Sequence, residues 1–303
     1  MRAIRLGLCF VLILSLAGGT VARRKHSEPV SDLVRGGRVV SNLRPGAPFS
    51  VHGITVTVPA PGEGVWFDAQ FDHGGAIWVG LQTDLSGRVS IRDDATTPGL
   101  QMIASSSTSA CSDGAYTLEG FKWSTTYSWW FQSGSTPSAF TASAAAGAFK
   151  RAIGHISGAY NNCSLADRVS ATQTYMGATS RATNITSSAS CGSRDSKNVV
   201  GFGTLPNGYL GMTCWWTMNG APVEADLKLN KAYYRWYVTK PSTCSSRWSV
   251  ETAATHEFGH LFGLGHVSET YHPNLTMSPV IRACQSSEVT LGLGDVRGLE
   301  ALY

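Results

Sequence analysis

His256-Glu257-Phe258-Gly259-His260-Leu261-Phe262-Gly263-Leu264-Gly265-His266 is the stretch from which the rest of the chain is read. His256 and His260 are four residues apart. On a helix that spacing puts both imidazoles on one face, about 5–6 Å apart at Cβ. Two imidazoles so placed can share one zinc ion. Glu257 follows His256 directly, and its carboxylate can reach the metal's open position without being a ligand. A helix running on to His266 would carry that ring past the metal. Gly263 is expected to stop it, because glycine takes the left-handed conformation without a Cβ penalty. The chain then turns, and His266 returns as the third ligand.

Three neutral nitrogen ligands leave zinc its double charge and one position for water, whose pKa falls from about 16 to about 7. Glu257 would take the proton as general base and later deliver it to a leaving amine, while the metal polarises the carbonyl. The competing reading is a structural zinc. Such sites favour four closed protein ligands, often cysteines. No fourth ligand is evident in the sequence, and a structural site has no need of a base. The expected metal ligands are therefore His256, His260 and His266, with Glu257 catalytic.

HExxHxxGxxH resembles the signature of the metzincin metallopeptidases. Leu275-Thr276-Met277-Ser278-Pro279 resembles their methionine turn, with Met277 packing under the histidines. Within that clan the chain is similar to exported bacterial matrixins. Phe121-Lys122-Trp123 and Tyr127 resemble the opening strand of their catalytic domain, and Leu291 to Tyr303 resembles their final helix. The resemblance implies an α+β catalytic domain over residues 110–303, with a twisted mixed sheet, two long helices and a C-terminal helix. It also implies a monomeric zinc-dependent endopeptidase with one catalytic Zn2+ and a protein or peptide substrate. Trp215-Trp216 falls where the matrixin pattern puts the substrate-facing edge strand, to which extended substrate would add.

The chain departs from the pattern in places. Pro279 stands where other metzincins carry a tyrosine ligand, and no histidine lies between Asn198 and Asn230 to hold a second, structural zinc. Gly294 precedes Asp295 where matrixins show two adjacent acids. Ca2+ could bind near Glu224 and Asp226, which otherwise read as surface carboxylates. Tyr271 and His272 read either as contacts to substrate or an oxyanion, or as loop residues. Cys111 matches the latency cysteine of vertebrate matrixins in place but not in surrounding sequence. It is either a disulfide partner or a ligand that closes the zinc.

Further out, the N-terminus reads as a targeting segment. Arg2 and Arg5 precede the apolar run from Leu6 to Leu16, and Thr20-Val21-Ala22 suits cleavage. Residues 1–22 are thus expected to be a signal peptide, with an uncleaved membrane anchor as the alternative. No second apolar run of spanning length follows, so no membrane span is expected in the mature, secreted form. Beyond Cys9 there are six cysteines, and an even number in an exported chain suggests three disulfides. Fifteen connectivities remain open. Cys244 with Cys284 is the expected pair that staples the ligand segment. Only 15% of the 303 residues are charged, and without the signal the formal net charge falls from +4 to +2. No basic patch interleaved with aromatics points to nucleic acid.

Residues 23–35 are polar and read as disordered. Residues 36–106 alternate as short strands separated by turns. One runs Val51 to Val58 and another Val65 to Phe71. The pattern suggests a small all-β domain, a sandwich or barrel, acting as a pro- or accessory unit. Asp68, Asp72, His52 and His73 within it form either a metal cluster or a solvated strand surface. Should that β-domain carry the function, the chain would be a non-catalytic binding module with a structural zinc.

Overall fold

The computed structural model describes residues 38–39, 43–95 and 109–303. The expected signal segment 1–22 and polar segment 23–35 lie outside the described residues. Nine strands form one mixed sheet, in the order β1 (Arg38–Val39), β6 (Val89–Ala95), β5 (Ala76–Thr83), β4 (Glu63–Phe71), β11 (Tyr209–Met218), β12 (Ala221–Asn230), β10 (Asn198–Gly203), β8 (Tyr127–Gln132) and β9 (Gln173–Thr179). The run from β12 through β10 and β8 to β9 is parallel. β11 is antiparallel to β12 on one side and to β4 on the other. β4, β5 and β6 then follow as an antiparallel meander. With three α-helices among the described residues the architecture is α+β.

The segment expected to stand alone as a small β-domain therefore donates strands to the sheet of the C-terminal half. Alternation decides which of its residues share a face. Val65, Phe67, Ala69 and Phe71 of β4 enter one core with Val79, Met212 and Cys214. That core is covered by Ile54 and Val56 of the hairpin β2 (Pro48–Val51) and β3 (Ile54–Thr57). Residues 51–58, which alternate as one strand would, instead fold back at His52-Gly53. Both have positive φ, at 52° and 80°, which a two-residue hairpin turn of the favoured twist requires.

The opposite face carries the helices. α1 (Ala142–Ser157) starts where the Thr141 side chain accepts a hydrogen bond from the Ala144 amide at 3.1 Å. α2 (Val250–Leu261) starts in the same way, with the Ser249 hydroxyl accepting from the Thr252 amide at 3.1 Å. The two helices pack on each other, and Phe149 and Phe258 join Phe131, Trp129 and Trp215 of the sheet in the second core. Each buried phenyl ring contributes about 1.5–3 kcal/mol to stability. α2 is buried on all sides except at Glu251, so whatever polar groups it carries need partners inside the protein. α3 (Leu293–Leu302) closes the chain, and three disulfides link Cys111 to Cys163, Cys191 to Cys214 and Cys244 to Cys284.

Candidate metal centre

His256 and His260 lie one turn apart on α2 and are 1% and 0% exposed. The helix ends at Phe262, and Gly263 follows with φ of +94°. The turn is tight. A Cβ on Gly263 would lie 2.3 Å from the Phe121 carbonyl oxygen. The next residues, the short strand Leu264–Gly265, pair with β7 (Thr117–Leu118), and the Thr117 hydroxyl donates to the His266 carbonyl at 2.6 Å. This short pairing swings His266 back over α2.

The three Nε2 atoms converge, at 3.2 Å for His256 to His260, 3.2 Å for His256 to His266 and 3.1 Å for His260 to His266. Nitrogens bound to one zinc at 2.0–2.1 Å in tetrahedral array stand roughly 3.3 Å apart, so the donor set fits that ion. The outer nitrogens fix the rings. His256 Nδ1 donates to the Thr276 carbonyl at 2.7 Å, and His260 Nδ1 to Glu119 Oε1 and the Leu264 carbonyl, both at 2.9 Å. With the protons on Nδ1, lone pairs are left on Nε2 pointing at a common centre. Burial pushes His256 and His260 down to about 3 and His266 well below its ordinary value, so all three imidazoles are neutral donors at neutral pH.

Glu257 is also buried. Its Oε2 accepts from the Thr213 hydroxyl of β11 at 2.5 Å, and its Oε1 has no hydrogen-bond partner among the described residues. Burial raises its pKa, and the Thr213 bond pulls the other way. A dication nearby would lower it further. Met277 packs beneath the ligands. Its Sδ lies against Gly259, where an added Cβ would sit 2.2 Å away. The turn itself is held by Asp295 of α3, which accepts from the Thr276 and Met277 amides at 3.0 and 3.2 Å.

A fourth residue joins the histidines. Asp68 of β4 is fully buried, with Oδ2 3.6 Å from both His260 Nε2 and His266 Nε2. All four ligand atoms lie within 4.8 Å of one another. Asp68 thus leaves the group in which the sequence placed it. His52 pairs with Asp93 at 3.7 Å, and His73 with Asp72 at 2.9 Å. The sequence offered Asp68 as a metal ligand, but with His52, His73 and Asp72 as its companions; Glu119 and Thr213 it did not offer at all. The signal for Asp68 was a charge in the middle of a largely apolar strand.

Other expected residues lie elsewhere. His272 Nδ1 donates to Asp113 at 2.9 Å, and Tyr271 is 70% exposed. Cys111 is in a disulfide, not at the histidines. Glu224 accepts from the amides of Asp195 and Ser196, and Asp226 from those of Asn184 and Val199. These carboxylates hold the 184–199 loop to β12. Gly294 leaves room for the Ala115 backbone, which a side chain there would strike.

Residues 204–303 match the matrixin family of peptidases, a zinc-binding family, and the matrixin-like metzincin resemblance is borne out over that span. No curated protein matches the chain.

Proposed function

We propose that this chain is a secreted zinc-dependent endopeptidase in which His256, His260 and His266 hold the metal and Glu257 is the general base. The observation that carries the reading is the convergence of three Nε2 atoms at 3.1–3.2 Å beside a buried carboxylate whose Oε1 is unpartnered among the described residues. When bound, zinc supplies Lewis acidity, polarising the scissile carbonyl and acidifying water to a pKa of about 7. The rest falls to the chain. Glu257 takes the proton and returns it to the leaving amine, while Thr213 holds its Oε2 in place. β11 would offer its backbone groups to an extended substrate on the side where β4 now pairs with it. The expected signal segment and the three disulfides support export. No helix of the described residues is long and apolar enough to cross a membrane.

Asp68 favours a second reading, because a fourth protein ligand is what a structural zinc site has. Glu257 weighs against it: a closed structural site leaves a buried, half-partnered carboxylate unexplained. The two separate on hydrolysis of an unstructured protein by the secreted preparation, with N-terminal sequencing of whichever form cleaves it. One zinc per chain, lost with His256→Ala, is expected. Glu257→Ala should keep the zinc and lose at least ~10²-fold in rate. Activity that survives complete zinc removal would sink the endopeptidase reading.

A further inference from the structure

Trp78 on β5, Asp68 on β4 and Thr213 on β11 stand side by side in register across three neighbouring strands. All three reach the metal centre. Trp78 Nε1 donates to Glu119 Oε2, the carboxylate whose other oxygen receives His260 Nδ1. Asp68 reaches His260 and His266, and Thr213 reaches Glu257. Two of the three come from the N-terminal segment.

We propose that Asp68 is a fourth protein ligand to the metal, carried in on a strand that occupies the substrate's edge of β11, so that the chain as described is a latent form. The inference rests on the zinc-peptidase reading above. Three imidazoles and a carboxylate are a donor set that zinc takes. At 3.6 Å from two of the Nε2 atoms, Asp68 Oδ2 sits close to where a fourth tetrahedral donor belongs. That is also the position water needs. β4 pairs with β11 from Phe71 opposite Tyr209 to Glu63 opposite Met218. A substrate strand adding to β11 from that side requires the same backbone donors and acceptors, so β4 and substrate exclude one another.

The segment is held on both sides of Asp68. Gln70 Nε2 and the Gly75 amide both donate to the Pro279 carbonyl, at 2.7 and 2.8 Å, at the end of the methionine turn. Trp66 Nε1 donates to the Thr217 hydroxyl at 3.3 Å. The chain therefore spans from the far end of β11 to the loop that follows Met277. Hydrolysis requires that β4 leave β11 and that Asp68 leave the metal.

The test uses the full chain loaded with cobalt in place of zinc and reads cobalt's visible absorption as acetohydroxamate is added. Cobalt should bind one per chain, and His256→Ala should abolish it. Asp68→Ala should open the fourth position and bind acetohydroxamate at least ~10²-fold more tightly than the unaltered chain, since the probe no longer competes with an intramolecular ligand. Asp68→Asn keeps the shape of the strand and should fall between the two, with faster zinc loss to a chelator than the unaltered chain. Equal acetohydroxamate binding by the unaltered chain and both variants overturns the proposal and leaves the peptidase reading standing. Cobalt binding indifferent to His256→Ala removes the reading beneath it.

Discussion

The Thr213 hydroxyl donates to Glu257 Oε2 across 2.5 Å, joining the middle of β11 to the ligand helix. Glu257 lies in a site from which water is largely excluded, so this bond both aims the carboxylate and stabilises its charge. Hydrogen bonds to charged groups are worth about 1.5–3 kcal/mol. Thr213→Val keeps the β-branched shape that suits a strand and removes only the donor. In the form that cleaves protein, kcat is expected to fall roughly 10- to 100-fold with KM little changed. An unchanged kcat would show that Thr213 plays no part in orienting Glu257.

Asp295 makes a pH prediction. Oδ2 accepts from the amides of Thr276 and Gly292 and Oδ1 from that of Met277, yet burial outweighs these bonds and pushes its pKa from 3.8 up to about 6. The folded-state value lies above the unfolded one, so the folded protein holds the proton longer. Stability from this group is complete below pH 4 and is lost as pH rises through about 6. The loss amounts to about 3 kcal/mol. Urea unfolding of the unaltered chain and Asp295→Asn at steps from pH 4 to pH 7 should show it: the unaltered chain loses stability relative to the variant by that order. A constant difference between the two would contradict the assignment.

The ligand segment could be read from sequence because everything it needs is local. Helical spacing brings His256 to His260, and one glycine turns the chain to His266. That Asp68 joins these histidines and that Glu119 holds His260 could not be read, because each arrives by a tertiary pairing. Alternation shows that Asp68 shares a face with Trp66 and Gln70, but not that β4 lies beside β11. Glu119 depends on β7, two residues long, which no periodicity reveals. The hairpin at His52-Gly53 hid for another reason: histidine is an uncommon first residue for a turn that needs two positive φ angles. Among the disulfides, Cys244 with Cys284 was the pair expected, but spacing alone did not settle Cys111 between a disulfide and the zinc.

The Cys111–Cys163 disulfide closes that choice in chemical terms, and predicts an alkylation pattern. The mature chain, stripped of zinc by a chelator and unfolded without reductant, should take up no iodoacetamide at Cys111, Cys163, Cys191, Cys214, Cys244 or Cys284. After reduction all six should react. Peptide mass analysis reads both outcomes. Alkylation of Cys111 upon zinc removal alone would restore it as a ligand and displace Asp68 from that role.

Gly263 provides the sharpest separation of site from scaffold. Its φ of +94° disfavours any side chain, and a Cβ would also meet the Phe121 carbonyl oxygen at 2.3 Å and Leu302 Cδ1 at 3.0 Å. Backbone cannot yield as a flexible side chain can, so the turn itself must shift. Its carbonyl accepts from the Glu119 amide at 2.9 Å, and Glu119 in turn holds His260. Moving the turn therefore disturbs two ligands, His260 through Glu119 and His266 through the chain. Gly263→Ala is expected to cost roughly 3 kcal/mol or more and to weaken zinc binding at least ~10-fold. Gly87 is the control, with φ of +84° and nothing within 4 Å of an added Cβ. Gly87→Ala bears the same conformational penalty, about 1 kcal/mol, without the collision. Its zinc affinity should equal that of the unaltered chain. Should both variants lose zinc affinity alike, general destabilisation would account for the effect, and the placing of His266 by Gly263 would be refuted.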